Sequence, residues 1–178
     1  MSTKRQYPDN WIQTYSGRQF WPLEPRAEDV VVEDIAHALS LLCRYGGHSR
    51  VFYSVAEHCV LISDRVGLDG LLLDAGEAYL LDIPRPVKAL LPEYKWAEAR
   101  VQDAIYEALG VPLPTLAEHE AVKEADNRML ATEKLVLHRP GHPWVLPEPY
   151  EDVVIHCWPP PRAEQEWLSA LSRMRYES

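Results

Sequence analysis

Apolar positions recur at helical spacing along most of the chain. Ile35, Leu39, Leu42 and Cys43 fall on one face of a helix beginning near Asp34, and RYGG at 44–47 supplies a glycine stop beside Arg44. The string Ser54-Val55-Ala56-Glu57 has the S-x-x-E form of a capping box. Val55, Cys59, Ile62 and Val66 continue on one face behind it, which predicts a second helix with His58 in its second turn. A third helix is expected over 68–81, ending near Ile83 because the residue before Pro84 is pushed out of the helical region. Pro84 and Pro86 then form a stiff corner.

A fourth helix runs from about Glu93 to Leu109, with Val101, Ile105 and Ala108 inward and Gly110 as its stop. Thr115-Leu116-Ala117-Glu118 repeats the capping signal and opens a long fifth helix to about Leu137. It places Val122, Asp126, Met129 and Glu133 on one stripe. Residues 1–28 read as an irregular lead-in. The segment 139–161 holds seven of the fifteen prolines, together with Trp144 and Trp158, and excludes a regular helix. Within it DVVIHCW is either a short strand or an extended run. A last amphipathic helix over 162–175 carries Trp167, Leu171 and Met174. About six helices with little strand signal predict an all-α helical bundle, one domain over 1–178 with a proline-rich segment before its last helix.

Composition narrows the function. A net charge of −9 argues against a broad basic face for duplex nucleic acid, although local cations would still suit a small anion. Cys43, Cys59 and Cys157 are too scattered for a disulfide framework or a CxxC zinc pair and are expected to be reduced and structural. No apolar run approaches a membrane span, and MSTKRQYPDNW lacks a hydrophobic signal core, so a cytoplasmic protein without membrane contact is expected.

Four polar groups interrupt the apolar faces. Asp74 follows Leu71, Leu72 and Leu73, and Glu77 stands three residues on, so both project from the same side of a helix. Like charges that close repel, and a shared cation would relieve them. Asp126 adds a third acid and His58 a nitrogen. Each also has a plainer reading: the histidine as a hydrogen-bonded core residue, Asp74 as a cap or an arginine partner, Asp126 as a solvated residue at the edge of its stripe.

Three strings taken in order, CRYGGHSRVFYSVAEHCVLIS (43–63), LLLDAGEAYLLDIPRPVKALLPEY (71–94) and VKEADNRMLATE (122–133), resemble the HD-domain phosphohydrolases. The likeness is to small bacterial and phage proteins related to 5′-deoxynucleotidases and to the phage dATP triphosphohydrolase, and it extends from WIQTYSGRQF (11–20) to about residue 137. It implies an HD-type helical bundle and hydrolysis of a deoxynucleotide at a divalent metal (Mn, Mg, Co or Fe). The implied ligands are His58, Asp74 and Asp126. The histidine of the signature His-Asp pair is replaced by Leu73, with His48 a distant candidate for a substitute nitrogen. The resemblance further implies that Glu77 orients or deprotonates the attacking water, that Arg44 grips phosphate, and that Tyr45 stacks on the base. Asp82, Pro86 and Lys88 would line the nucleotide pocket around Ile83 to Pro86. Glu133 and Arg128 are expected at the surface or behind the ligands. Relatives of this kind form homo-oligomers, and 143–161 is the expected contact surface. The alternative is a degenerate HD protein that binds a nucleotide or a partner without efficient turnover.

Overall fold

The computed structural model describes residues 4–176, and among these eight α-helices carry most of the chain. They are α1 (Val32–Leu41), α2 (Val55–Val66), α3 (Leu68–Leu71), α4 (Glu77–Leu80), α5 (Arg85–Lys88), α6 (Pro92–Leu109), α7 (Leu116–Leu137) and α8 (Pro160–Tyr176). The expectation of a mainly α-helical chain is met. α2 lies at the centre, against α1, α3, α7 and α8, because its face from Val55 to Ser63 is apolar enough to be buried almost all round. The main core gathers Ile35, Leu39, Cys59, Leu71, Leu72, Val101, Ile105 and Trp167 from five helices. Fully burying one large side chain such as Trp167 contributes roughly 2–3 kcal/mol. A smaller cluster of Leu61, Ile62, Ala125 and Met129 joins α2 to α7, and Leu73 packs against it. Among the described residues no helix is long and apolar enough to cross a membrane.

Two expectations are corrected and one alternative is decided. The lead-in is not wholly irregular: strands β1 (Ile12–Gln13) and β2 (Gln19–Phe20) pair antiparallel, and Phe20 enters the core stacked on Tyr79. The hairpin is tied down by Asp34 of α1, which accepts from the Ser16 amide at 2.6 Å and the Ser16 hydroxyl at 2.8 Å. For DVVIHCW the second alternative holds: among the described residues it pairs with no strand, and its backbone turns at Cys157, where φ is 54°.

The second correction bears on the candidate site. The helix expected over 68–81 is broken into α3 and α4, with Asp74 in the turn between them. Gln102 of α6 explains the break: its side chain donates to the Leu72 carbonyl at 2.6 Å and accepts from the Gly76 amide at 3.2 Å. One amide side chain thus satisfies backbone groups that a continuous helix would have paired internally. Asp74 and Glu77 are neighbours because a tight turn joins them, the Glu77 amide donating to the Asp74 carbonyl at 3.0 Å.

Candidate metal centre and active site

His58 enters from α2 with no exposed surface, Asp74 from the turn before α4, and Asp126 from the middle of α7. Ser54 caps α2 by accepting from the Glu57 amide at 3.1 Å, which sets the register that turns His58 inward. The imidazole is held from behind: its Nδ1 lies 2.5 Å from Glu133 Oε1. Glu133 is itself fully buried and also accepts from the Tyr53 hydroxyl at 2.9 Å and from the Tyr45 hydroxyl. With Nδ1 occupied, the other nitrogen faces the acids, Nε2 standing 3.3 Å from Asp126 Oδ1 and 3.7 Å from Asp74 Oδ2. Neither contact is aligned as a hydrogen bond, and Nε2 remains a buried polar atom without a partner.

A cation taken up here would displace the Nε2 proton and meet that nitrogen with one oxygen from each carboxylate, a donor set suited to Mn²⁺, Co²⁺ or Fe²⁺. Yet among the described residues no three His, Cys, Asp or Glu side chains are arranged to hold a metal ion as they stand. Arginines account for the shortfall, because each carboxylate also turns toward a guanidinium. Arg44 Nη1 is 3.2 Å from Asp74 Oδ2, and Arg85 of α5 binds Asp126 Oδ2. The donors fit chemically, and the two arginines hold the charge of the acids in place of a cation.

Titration follows this geometry. Burial and Arg44 oppose the charge on His58, but Glu133 and Asp126 outweigh them and raise it to about 9. Burial pushes Asp126 and Glu133 up, yet His58 and the neighbouring arginines hold both at about 2. Asp74 is raised by burial and by Asp126 and Asp82, against the pull of His58 and Arg44. Glu77 has only 4% of its surface exposed, and burial together with Asp74 and Asp82 lifts it to about 9. Its Oε2 has no partner. Lys88 Nζ stands 3.5 Å from Glu77 Oε1 and 2.6 Å from Glu98.

The structure therefore brings together His58, Asp74, Asp126, Glu77, Arg44 and Lys88, with Asp82 half-buried beside them. Pro86 is exposed on α5. Tyr45 is committed to Glu133 through its hydroxyl, and its ring edge meets His138 at 4.5 Å. Glu133 lies buried behind His58 rather than at the surface. Arg128 leans over Tyr150, 4.1 Å from its ring, and bonds the Glu148 carbonyl at 3.2 Å. His48 lines a different cavity. Arg85 was not anticipated; its place in the IPRP string, one residue before Pro86, was the available signal.

No family model matches the chain. It is 44% identical over 129 residues to the uncharacterized protein YfdR of Escherichia coli strain K12, which spans 70% of this chain and 71% of that protein. The chain belongs to the YfdR family. A second relative, an uncharacterized protein of Rhodobacter capsulatus, is 36% identical over 132 residues, covering 65% of this chain and 67% of its own. In this YfdR-family chain the buried polar cluster draws on five regions: the turn after α1, α2, the α3–α4 turn, α5 and α7.

Proposed function

We propose that this protein is a metal-dependent phosphohydrolase of deoxynucleotides, an HD-type enzyme that releases phosphate from a monophosphate or triphosphate from a deoxynucleoside triphosphate. The observation that carries this reading is the buried, unpartnered Nε2 of His58, facing Asp74 and Asp126 and fixed from behind by Glu133. Both carboxylates face this nitrogen at 3.3 and 3.7 Å without aligning on it as acceptors, an arrangement that a cation between the three groups would complete.

A divalent cation held by His58, Asp74 and Asp126 would supply Lewis acidity and lower the pKa of water. Arg44, already on Asp74 through Nη1, would offer its remaining guanidinium edge to phosphoryl oxygens, which its planar fork suits. Glu77 stands within a turn of Asp74 and would take the proton of the attacking water. Its raised pKa is the metal-free value, and added positive charge would favour the carboxylate. Lys88 is shared between Glu77 and Glu98 and so balances charge beside the base. The phosphorus–oxygen bond to the nucleoside then breaks, and the leaving oxygen takes up a proton.

The test is phosphate or triphosphate release from a panel of deoxynucleotides, measured with Mn²⁺, Mg²⁺, Co²⁺ and Fe²⁺, alongside Asp74→Asn. Release that Asp74→Asn abolishes is expected. A second reading, nucleotide binding without efficient turnover, is favoured by Leu73, which packs into the apolar α2–α7 cluster and offers no donor. No release with any metal, alongside tight nucleotide binding, would select it. Leu73→His then discriminates further, since a gain in metal affinity means the remaining donors are still in register.

A further inference from the structure

Beside His138, whose ring meets Tyr45, lies a cavity of about 400 Å³, within the range that holds small ligands. His48, Arg50, Lys134, His138, Arg139 and Trp144 line it, with His142 at its edge, and none of its lining residues is acidic. That concentration of cations occurs on a chain whose net charge is −9. Among the described residues none of Arg50, Lys134 and Arg139 has an ion-pair partner. Cations gathered around one concave surface without acids raise the positive potential there and favour the entry of an anion.

Two further features narrow the occupant. His138 Nε2 is buried without a partner, although its ring is fixed between Tyr45 at 4.5 Å and Trp144 at 5.2 Å. Trp144 is 42% exposed, with Lys134 Nζ 5.2 Å from its ring centroid. A flat aromatic surface beside unpaired cations suits a molecule that joins a planar ring to a phosphate chain. The volume is too small for a folded partner or a peptide of any length.

We propose that this cavity is a second ligand site, separate from the candidate metal centre, for a small phosphate-bearing molecule with a planar ring, such as a nucleotide. Lys134 and Arg139 take the phosphates, His138 Nε2 completes its hydrogen bonding on them, and Trp144 stacks on the ring. Lys134 follows Glu133 in sequence, so neighbouring positions of α7 serve the two sites on different sides of the helix. The claim does not depend on the hydrolase reading.

The test is calorimetric titration of the full chain, with chelator present, using adenosine diphosphate, inorganic pyrophosphate and adenosine as probes. The diphosphate is expected to bind more tightly than pyrophosphate, and adenosine not to bind. Reversing charge with Lys134→Glu and Arg139→Glu together should weaken the diphosphate at least about tenfold. Lys134→Gln with Arg139→Gln, checked by an unchanged melting temperature, should act in the same direction. Trp144→Ala should weaken the diphosphate and spare pyrophosphate, while Asp74→Asn should leave both unchanged. Absence of binding by either anion overturns the proposal. So does binding that survives charge reversal or disappears in Asp74→Asn, and equal affinity for the two anions removes the ring-bearing ligand.

Discussion

Two helices of this protein open with nearly the same four residues, Ser54-Val-Ala-Glu57 and Thr115-Leu-Ala-Glu118. At α7 the signal closes on itself: Thr115 accepts from the Glu118 amide at 3.3 Å and Glu118 accepts from the Thr115 amide at 2.7 Å, all in solvent. At α2 only half of it forms. Ser54 caps the helix, but Glu57 turns away into the interior and accepts the backbone amides of His156, Cys157 and Trp158 at 2.7, 2.9 and 2.6 Å. Burial pushes Glu57 up and those three donors hold it back. The next residue, His58, is equally buried and keeps an open nitrogen. Adjacent buried polar residues on one helix therefore differ in kind: Glu57 is saturated and fastens the chain leading into α8, whereas His58 is fixed on one side and open on the other. A buried acid whose oxygens are all used fastens chain to chain, whereas a buried imidazole hydrogen-bonded on one side only can still take a partner on the other.

The comparison breaks most visibly at Glu57. Glu57→Ala leaves three amides without their acceptor and should cost about 3–5 kcal/mol, since each such group costs about 1–3 kcal/mol when buried unpaired. Chemical denaturation measures it, and a loss under 1 kcal/mol would mean that the 156–158 amides find water or another acceptor.

Glu133→Gln tests the other member of the pair by removing the charge behind His58 while keeping the shape. Metal affinity, followed by calorimetry, should fall about 10–100-fold, the usual scale for losing a partner that orients a ligand. Unchanged affinity would detach His58 from any ligand role.

Glu77 gives a smaller effect of opposite sign. Its folded-state pKa of about 9 lies above the ordinary 4.5, so its contribution to stability is complete below about pH 4.5 and is lost as pH rises through about 9. Glu77→Gln should therefore raise the melting temperature of metal-free protein at pH 8 by a few degrees, about 2–4 °C per kcal/mol for a chain of this size, and flatten the alkaline decline. A parallel decline in both proteins would show that another group titrates. Smallest of all, Thr115→Ala should cost about 1 kcal/mol by losing the exposed cap, with metal uptake untouched.

Periodicity and capping signals placed α1, α2, α6, α7 and α8 to within about two residues, because each is an amphipathic run with its own local stops. The break at Asp74 was hidden, since the group that enforces it is Gln102, almost thirty residues away and an ordinary polar residue of α6 by its pattern. The hairpin over α1 was hidden for the same reason, its tie being Ser16 to Asp34.

The candidate site divides along the same line. Sequence alone marked His58, Asp74 and Asp126 as polar groups on apolar faces, because the cost of burying charge is legible wherever periodicity predicts burial. Only the tertiary structure decided that Glu133 stands behind the imidazole, that Arg44 and Arg85 hold the two aspartates, and that Glu57 belongs to the chain ahead of α8. Those partners lie between 30 and 101 residues away in the chain. Local pattern fixes which way a side chain turns about its own helix, and the packing of helices fixes what it meets there.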